Sequence, residues 1–133
     1  MNKNIFVNMA VKDLKKSTEF FTKLGYTFNQ QFTDETATSM IISENIYAML
    51  LTEPKMKEFT KKDLVDAHKA TEVLIALSCE SKDEVNSLVD KAVAAGAEEP
   101  HEAKDYGFMY TRTFEDLDGH IWEILWMEPS YVK

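Results

Sequence analysis

The sequence predicts an α+β fold: two tandem βαβββ modules whose sheets form a cup-shaped half-barrel with the helices outside. Three observations predict it. Two stretches with apolar residues at helical spacing each end on a glycine, Gly25 and Gly96. A β-rich run precedes each stretch and three strand-like runs follow it, so the same order occurs twice. The last two runs are joined by Asp116-Leu117-Asp118-Gly119, which suits a tight turn. A four-stranded sheet with one helix leaves an apolar face bare, and a second such unit can close over it.

The elements follow in chain order. Ile5–Val11 reads as a strand, and Asp13 after it can cap a helix over residues 14–24, where Leu14, Phe20, Phe21 and Leu24 share one side. Residues 26–33, Ala37–Ser43 and Ile46–Thr52 read as strands, separated by Asp34-Glu35 and Glu44-Asn45. Residues 54–70 are polar and lysine-rich, with a weak helical pattern through Phe59, Leu64, Val65 and His68, and read as a connector. Residues 72–79 then form a strand, Ser81 and Glu84 a capping box, and Val85, Leu88, Val89 and Ala92 a helical stripe. Residues 97–103, 107–115 and 120–127 complete the second unit. The expected organisation is module 1 over about residues 1–53, the connector over about 54–70 and module 2 over about 71–133.

Offsets test the repeat. Phe6 matches Leu74 at 68, Gly25 matches Gly96 at 71, and Ile46-Tyr47-Ala48-Met49 matches Ile121-Trp122-Glu123-Ile124 at 75. A second helix about one turn longer, with different turns, absorbs the difference.

Composition removes several function classes. The 133 residues are 44% hydrophobic and 11% aromatic, enough for one packed domain and unlike a disordered chain. With 15 basic against 23 acidic residues the formal charge is -8, which repels nucleic-acid backbones and anionic membranes. Lys15-Lys16 and Lys61-Lys62 read as solvated faces rather than a basic patch. No run approaches the roughly 18 apolar residues of a membrane span. Cys79 stands alone, so neither an intramolecular disulfide nor a cysteine-based metal cluster can form, and it reads as a structural thiol in a reducing compartment. With no basic, apolar leader at its start, the sequence points to the cytoplasm.

Two motifs carry a resemblance. Val11-Lys12-Asp13-Leu14, Ser17, Phe20-Phe21 and Leu24-Gly25-Tyr26, with the ending Phe114-Glu115-Asp116-Leu117-Asp118-Gly119-His120-Ile121-Trp122-Glu123, resemble the vicinal-oxygen-chelate superfamily. That superfamily includes glyoxalase I, fosfomycin- and bleomycin-resistance proteins and extradiol dioxygenases. The resemblance spans roughly residues 4–128 and specifies fold more than activity. It implies a divalent metal held by side chains of the first and last strand of each unit. Placed by motif and repeat, those positions are Phe6, Ala48, Leu74 and Glu123. Only Glu123 can coordinate, and one carboxylate supplies neither a three-ligand zinc site nor a two-His-one-carboxylate iron site. The histidines give little help. His120 is three residues from Glu123 and so on the other face of a strand, while His68 lies in the connector and His101 in a polar segment. No cofactor is therefore expected, and a divalent metal is disfavoured.

Glu123 remains the catalytic candidate, as a general acid or base beside apolar neighbours; the plain alternative is a salt-bridged carboxylate of the scaffold. Tyr110 and Arg112 alternate on one face of their strand. Arg112 can hold a substrate anion or pair with Glu123 across the hairpin. The ligand-binding set is thus Phe6, Ala48, Leu74, Tyr110, Arg112 and Glu123. An apolar cup with few polar anchors suits a flat or hydrophobic small molecule, and the resemblance implies drug-sequestering relatives that work without metal. The expectation is a metal-independent small-molecule-binding protein, sequestering or resistance-like. The alternatives are a metal-dependent lyase, isomerase or dioxygenase of glyoxalase type, and a non-catalytic structural or interaction protein. A homodimer is implied by the resemblance and by sheet edges that need cover.

Overall fold

The first strand, β1 (Ile5–Val11), stops where Asp13 turns its carboxylate onto the backbone N–H of Lys16, 3.0 Å away, and so caps helix α1 (Leu14–Lys23). Gly25 ends the helix in the left-handed region at φ 106°, and the Tyr26 N–H reaches back to the Phe21 carbonyl at 3.1 Å. The face this helix buries carries Phe20, Phe21 and Leu24, each worth about 2 kcal/mol in removed apolar surface. It packs on a sheet of β2 (Thr27–Asn29), β3 (Ala37–Ser43) and β4 (Ile46–Thr52) with β1, in the order β1-β4-β3-β2. β1 runs parallel to β4 and the other neighbours are antiparallel.

The computed structural model describes residues 3–131, and the chain divides into two units that meet at Val65/Asp66. The second unit repeats the plan. β5 (Leu74–Ser78), helix α3 (Lys82–Ala94), β6 (Lys104–Asp105), β7 (Met109–Glu115) and β8 (Ile121–Met127) give a sheet in the order β5-β8-β7-β6, again with one parallel pair. (A four-residue helix, α2 (Glu53–Met56), follows β4 and is capped by Thr52.) The second long helix has 13 residues against 10 in the first, close to the extra turn that the repeat requires. Its start is a capping box moved by one position. Ser81 Oγ accepts from the Glu84 N–H at 3.1 Å, while the Glu84 carboxylate accepts from the N–H of Glu80 rather than of Ser81.

Three elements differ from the expectation, each for a local reason. The strand expected over residues 26–33 ends at Asn29, because the Asn29 side chain accepts from the Gln31 N–H at 2.9 Å and opens a 3-10 turn, Gln30–Phe32. In place of a strand over residues 97–103 there is one bridge, Glu98 to Glu115, and the strand proper is the two-residue β6. Pro100 lacks an N–H for a continuous ladder there. The weak helical pattern of residues 59–68 forms no helix. Asp66 instead accepts from the N–H of His68 and, through its carbonyl, of Lys69 and Ala70, which makes a turn.

Candidate functional site

Strand register decides which side chains can meet. Directly paired residues project on the same side of a sheet, and successive residues alternate. In the second unit β8 pairs Glu123 with Ala76 of β5 and with Thr113 of β7, while Trp122 pairs with Ile75 and Phe114. The Trp122 side is the helix side: the neighbouring Arg112 of β7 bonds Asn86 and Asp90 of α3. The opposite side carries Leu74, Ala76 and Ser78 of β5, Met109, Thr111, Thr113 and Glu115 of β7, and Ile121, Glu123, Leu125 and Met127 of β8.

Glu123 is half-buried there, and among the described residues its carboxylate makes no hydrogen bond or ion pair. Thr113, directly across from it, is 4% exposed. Its hydroxyl is the one buried side-chain polar atom without a hydrogen-bond partner among the described residues. Leu74 is 57% exposed at the strand edge and joins Ala76, Ile121 and Leu125 in an apolar surround. The site residue that sequence reasoning missed is Thr113. Its signal was the alternation that sets it opposite in parity to Tyr110 and Arg112.

That register is held by the turn between β7 and β8. The Asp116 N–H donates to the His120 carbonyl at 3.0 Å, which closes a five-residue connection and makes Glu115 the partner of Ile121. The Asp116 carboxylate accepts from the N–H groups of Asp118 at 2.9 Å and His120 at 3.0 Å, and from Trp122 Nε1 at 2.9 Å. Burial pushes its pKa above the ordinary carboxylate value, against the pull of the nearby His120 and these donors.

Two of the expected site residues lie elsewhere. Tyr110 and Arg112 do share a face, but it is the helix side and not that of Glu123. The Tyr110 hydroxyl donates to Asn86 Oδ1 at 2.7 Å. Arg112 forks onto Glu99 through Nε and Nη2, both at 2.9 Å, and onto Asp90 through Nη1 at 3.0 Å. Those carboxylates raise its pKa further, so it is a fixed cation already neutralised. Arg112 therefore pairs with Glu99 and Asp90, not with Glu123. With Glu99, His101 and Glu102 it lines an open depression of about 500 Å³.

In the first unit Phe6 lies on the side away from the helix, 51% exposed and stacked on Tyr47 with ring centres 5.0 Å apart. Ala48 does not join it. Ala48 pairs with Val7, is 0% exposed and belongs to the helix side; the residues beside Phe6 on its own face are Asn8 and Met49. Across the parallel pairs, Phe6 faces Tyr47 as Leu74 faces Ile121, so the counterpart of Glu123 is Met49 rather than Ala48. A bulge in β3 between Ile41 and Ser43 accompanies the one-residue difference.

The donor chemistry follows from these placements. Phe6, Asn8 and Met49 in one unit, and Leu74, Ala76 and Glu123 in the other, do not fit a divalent metal centre. Among the described residues no three His, Cys, Asp or Glu side chains come together to hold an ion. Cys79 offers no nucleophile either. Burial, the Glu84 charge and a Glu84 hydrogen bond push its thiol up to about 11. At pH 8 its thiolate fraction should be about 100-fold below that of a free thiol at the ordinary value of 9.0. Alkylation by iodoacetamide should be slow accordingly, and Glu84→Gln should accelerate it; a rate equal to that of free cysteine would contradict this placement.

The model of the family described as Glyoxalase/Bleomycin resistance protein/Dioxygenase superfamily matches residues 5–124. No curated protein matches the sequence. Among solved structures, a hypothetical protein from S. aureus is 28% identical, with 94% of each chain covered and a TM-score of 0.79. A glyoxalase/bleomycin resistance protein/dioxygenase family enzyme from Burkholderia phytofirmans is 14% identical, covering 95% of this chain and 99% of its own, with a TM-score of 0.77. A genomically encoded fosfomycin resistance protein from Listeria monocytogenes is 20% identical, covering 94% and 90%, with a TM-score of 0.66.

Proposed function

Because the chain belongs to the glyoxalase/bleomycin resistance protein/dioxygenase superfamily, we propose that it binds a small organic molecule without a metal, as a sequestering or resistance-like protein. One observation carries the reading. At the strand positions that the family resemblance assigns to metal ligands, as register places them, Glu123 is the lone carboxylate, with the apolar Leu74, Ala76, Ile121 and Leu125 on its face and Thr113 directly across. Such a surface takes up an apolar or aromatic body, and Glu123 with one neighbour anchors its polar end. Met49 and the Phe6–Tyr47 stack, on the corresponding face of the first unit, offer the same kind of apolar, deformable surface.

Measured metal content tests this directly. After supplementation with zinc, nickel, manganese or iron(II), the purified protein should hold well under one equivalent of metal and show neither thiol-adduct turnover nor ring cleavage. One equivalent, lost in Glu123→Gln, would replace this reading by a glyoxalase-type lyase or dioxygenase. A protein that binds no metal and no member of a small-compound thermal-shift panel would instead be structural.

The working form is a homodimer in the cytoplasm. β1 and β5 each pair on one side only; beside the edge in the first unit Ile5 and Phe6, and beside the edge in the second unit Val73 and Leu74, are all more than half exposed, and each edge is of the kind that a second copy would cover. Light scattering should give twice the chain mass, and monomer at micromolar concentration would refute it. No helix among the described residues is long and apolar enough to cross a membrane, and the single thiol suits a reducing compartment. The charge of -8 disfavours nucleic acid as a partner.

A further inference from the structure

We infer that Glu123 and Thr113 together seat the protonated amine of an apolar or aromatic ligand, an assignment that rests on the ligand-binding reading above. Two unsatisfied polar groups face each other across one strand pair. Thr113 is 4% exposed and its buried hydroxyl has no partner among the described residues, whereas buried hydroxyls are normally hydrogen-bonded. Opposite it stands the Glu123 carboxylate, with no hydrogen bond or ion pair among the described residues. Side chains directly across an antiparallel pair start about 5 Å apart, so one small group reaches both.

The chemistry of that group follows from what the two can accept. A carboxylate only accepts hydrogen bonds, and a hydroxyl accepts as well as it donates. Their joint complement is a compact donor with several N–H bonds, and a positive charge strengthens each bond to the carboxylate. An ammonium meets both conditions. An anionic head is repelled by Glu123 and by the net charge of -8. Among the described residues the protein does not supply the cation itself. Arg112 is on the other face, held by Glu99 and Asp90. Lys104 pairs with Thr111 at the far edge of the same face and makes no ion pair with Glu123. Ala76, next to Glu123 on β5, is short enough to leave room for the head, while Leu74, Ile121 and Leu125 provide an apolar floor for the body.

Three probes with one ring system separate the terms: tryptamine, its neutral alcohol tryptophol, and anionic indole-3-propionate, titrated into the whole chain at pH 7 by calorimetry and by amide chemical shifts. Tryptamine should saturate at least tenfold more tightly than tryptophol, indole-3-propionate should not bind, and the shifted amides should centre on Ala76, Thr113 and Glu123. Glu123→Gln should erase the preference for the amine. Thr113→Val, which keeps the side-chain shape, should lower tryptamine affinity about fivefold and raise the melting temperature of the free protein by roughly 3–5 °C. Equal affinity for amine and alcohol, or a preference that survives Glu123→Gln, overturns the amine assignment and leaves the ligand-binding reading standing. So does an unchanged tryptamine affinity in Thr113→Val. Absence of saturable binding by all three probes, or one equivalent of zinc or manganese held through Glu123, overturns both.

Discussion

Replacing Asp116 by alanine should destabilise the protein by about 3 kcal/mol, because three donors lose their acceptor at once. Trp122 is the most consequential of them. Trp122 is 1% exposed, so its indole N–H loses the Asp116 acceptor in a place shielded from water. The backbone N–H groups of Asp118 and His120 lose the same acceptor inside the turn. For a chain of this length each kcal/mol is worth roughly 3–5 °C, so thermal unfolding should come about 10 °C earlier. A fall of less than about 3 °C would mean that other groups hold the turn.

Asp116→Asn separates the parts of that effect. Asparagine keeps one oxygen for the two backbone donors but sets an amide N–H against the indole N–H. The expected loss is about half as large, roughly 1.5 kcal/mol, as suits one broken buried bond. The raised pKa of Asp116 shows that burying the carboxylate is itself unfavourable. Retaining it anyway is consistent with a role in fixing register. In Asp116→Ala, amide exchange should therefore quicken in β7 and β8 before the rest of the second unit, and any affinity that depends on Glu123 should weaken with it.

Register is also where sequence and structure part. The βαβββ repeat, the caps at Asp13 and Ser81 and the stop at Gly25 were legible because each is local: a residue type, a spacing, a hydrogen bond within five positions. The identity of face-sharing residues was not legible, because it depends on one residue in a turn or bulge. If the β7–β8 connection comprised only residues 116–119, Glu115 would pair with His120 and Arg112 with Glu123. The Asp116–His120 bond makes it five residues long, and every pairing moves by one, which brings Thr113 to Glu123. Ala48 was misplaced in the same way. Aligning Ile46-Tyr47-Ala48 with Ile121-Trp122-Glu123 matches like with like, yet the strand pairing is one residue off and sends Ala48 under the helix. Arg112 has a further cause. The sequence offers it a substrate anion or Glu123 across the hairpin as partners, but the actual ones, Glu99 and Asp90, come from elements whose approach no spacing rule discloses.

Gly119→Ala should cost as much as the loss of Asp116 or more, and Gly25→Ala measures how much of that is mere conformation. Both glycines have positive φ, 85° and 106°, where an alanine costs about 1–2 kcal/mol. At Gly25 a new Cβ meets nothing within 4 Å, so that is the whole expected penalty. At Gly119 the same atom would lie 2.6 Å from the backbone nitrogen of His68 and 2.7 Å from the carbonyl carbon of Ala67. Neither neighbour is a side chain that can swing aside, and the turn they belong to is tied by three hydrogen bonds to Asp66. Either that turn or the Asp116 turn must move, for a total of about 3 kcal/mol or more. Urea unfolding should show Gly119→Ala losing at least twice as much stability as Gly25→Ala, with faster amide exchange at residues 67–70 as well as in the hairpin. Equal losses would mean that the close approach of residues 67 and 68 to Gly119 contributes nothing, and that the end of the connector is not packed against the hairpin that orients Glu123.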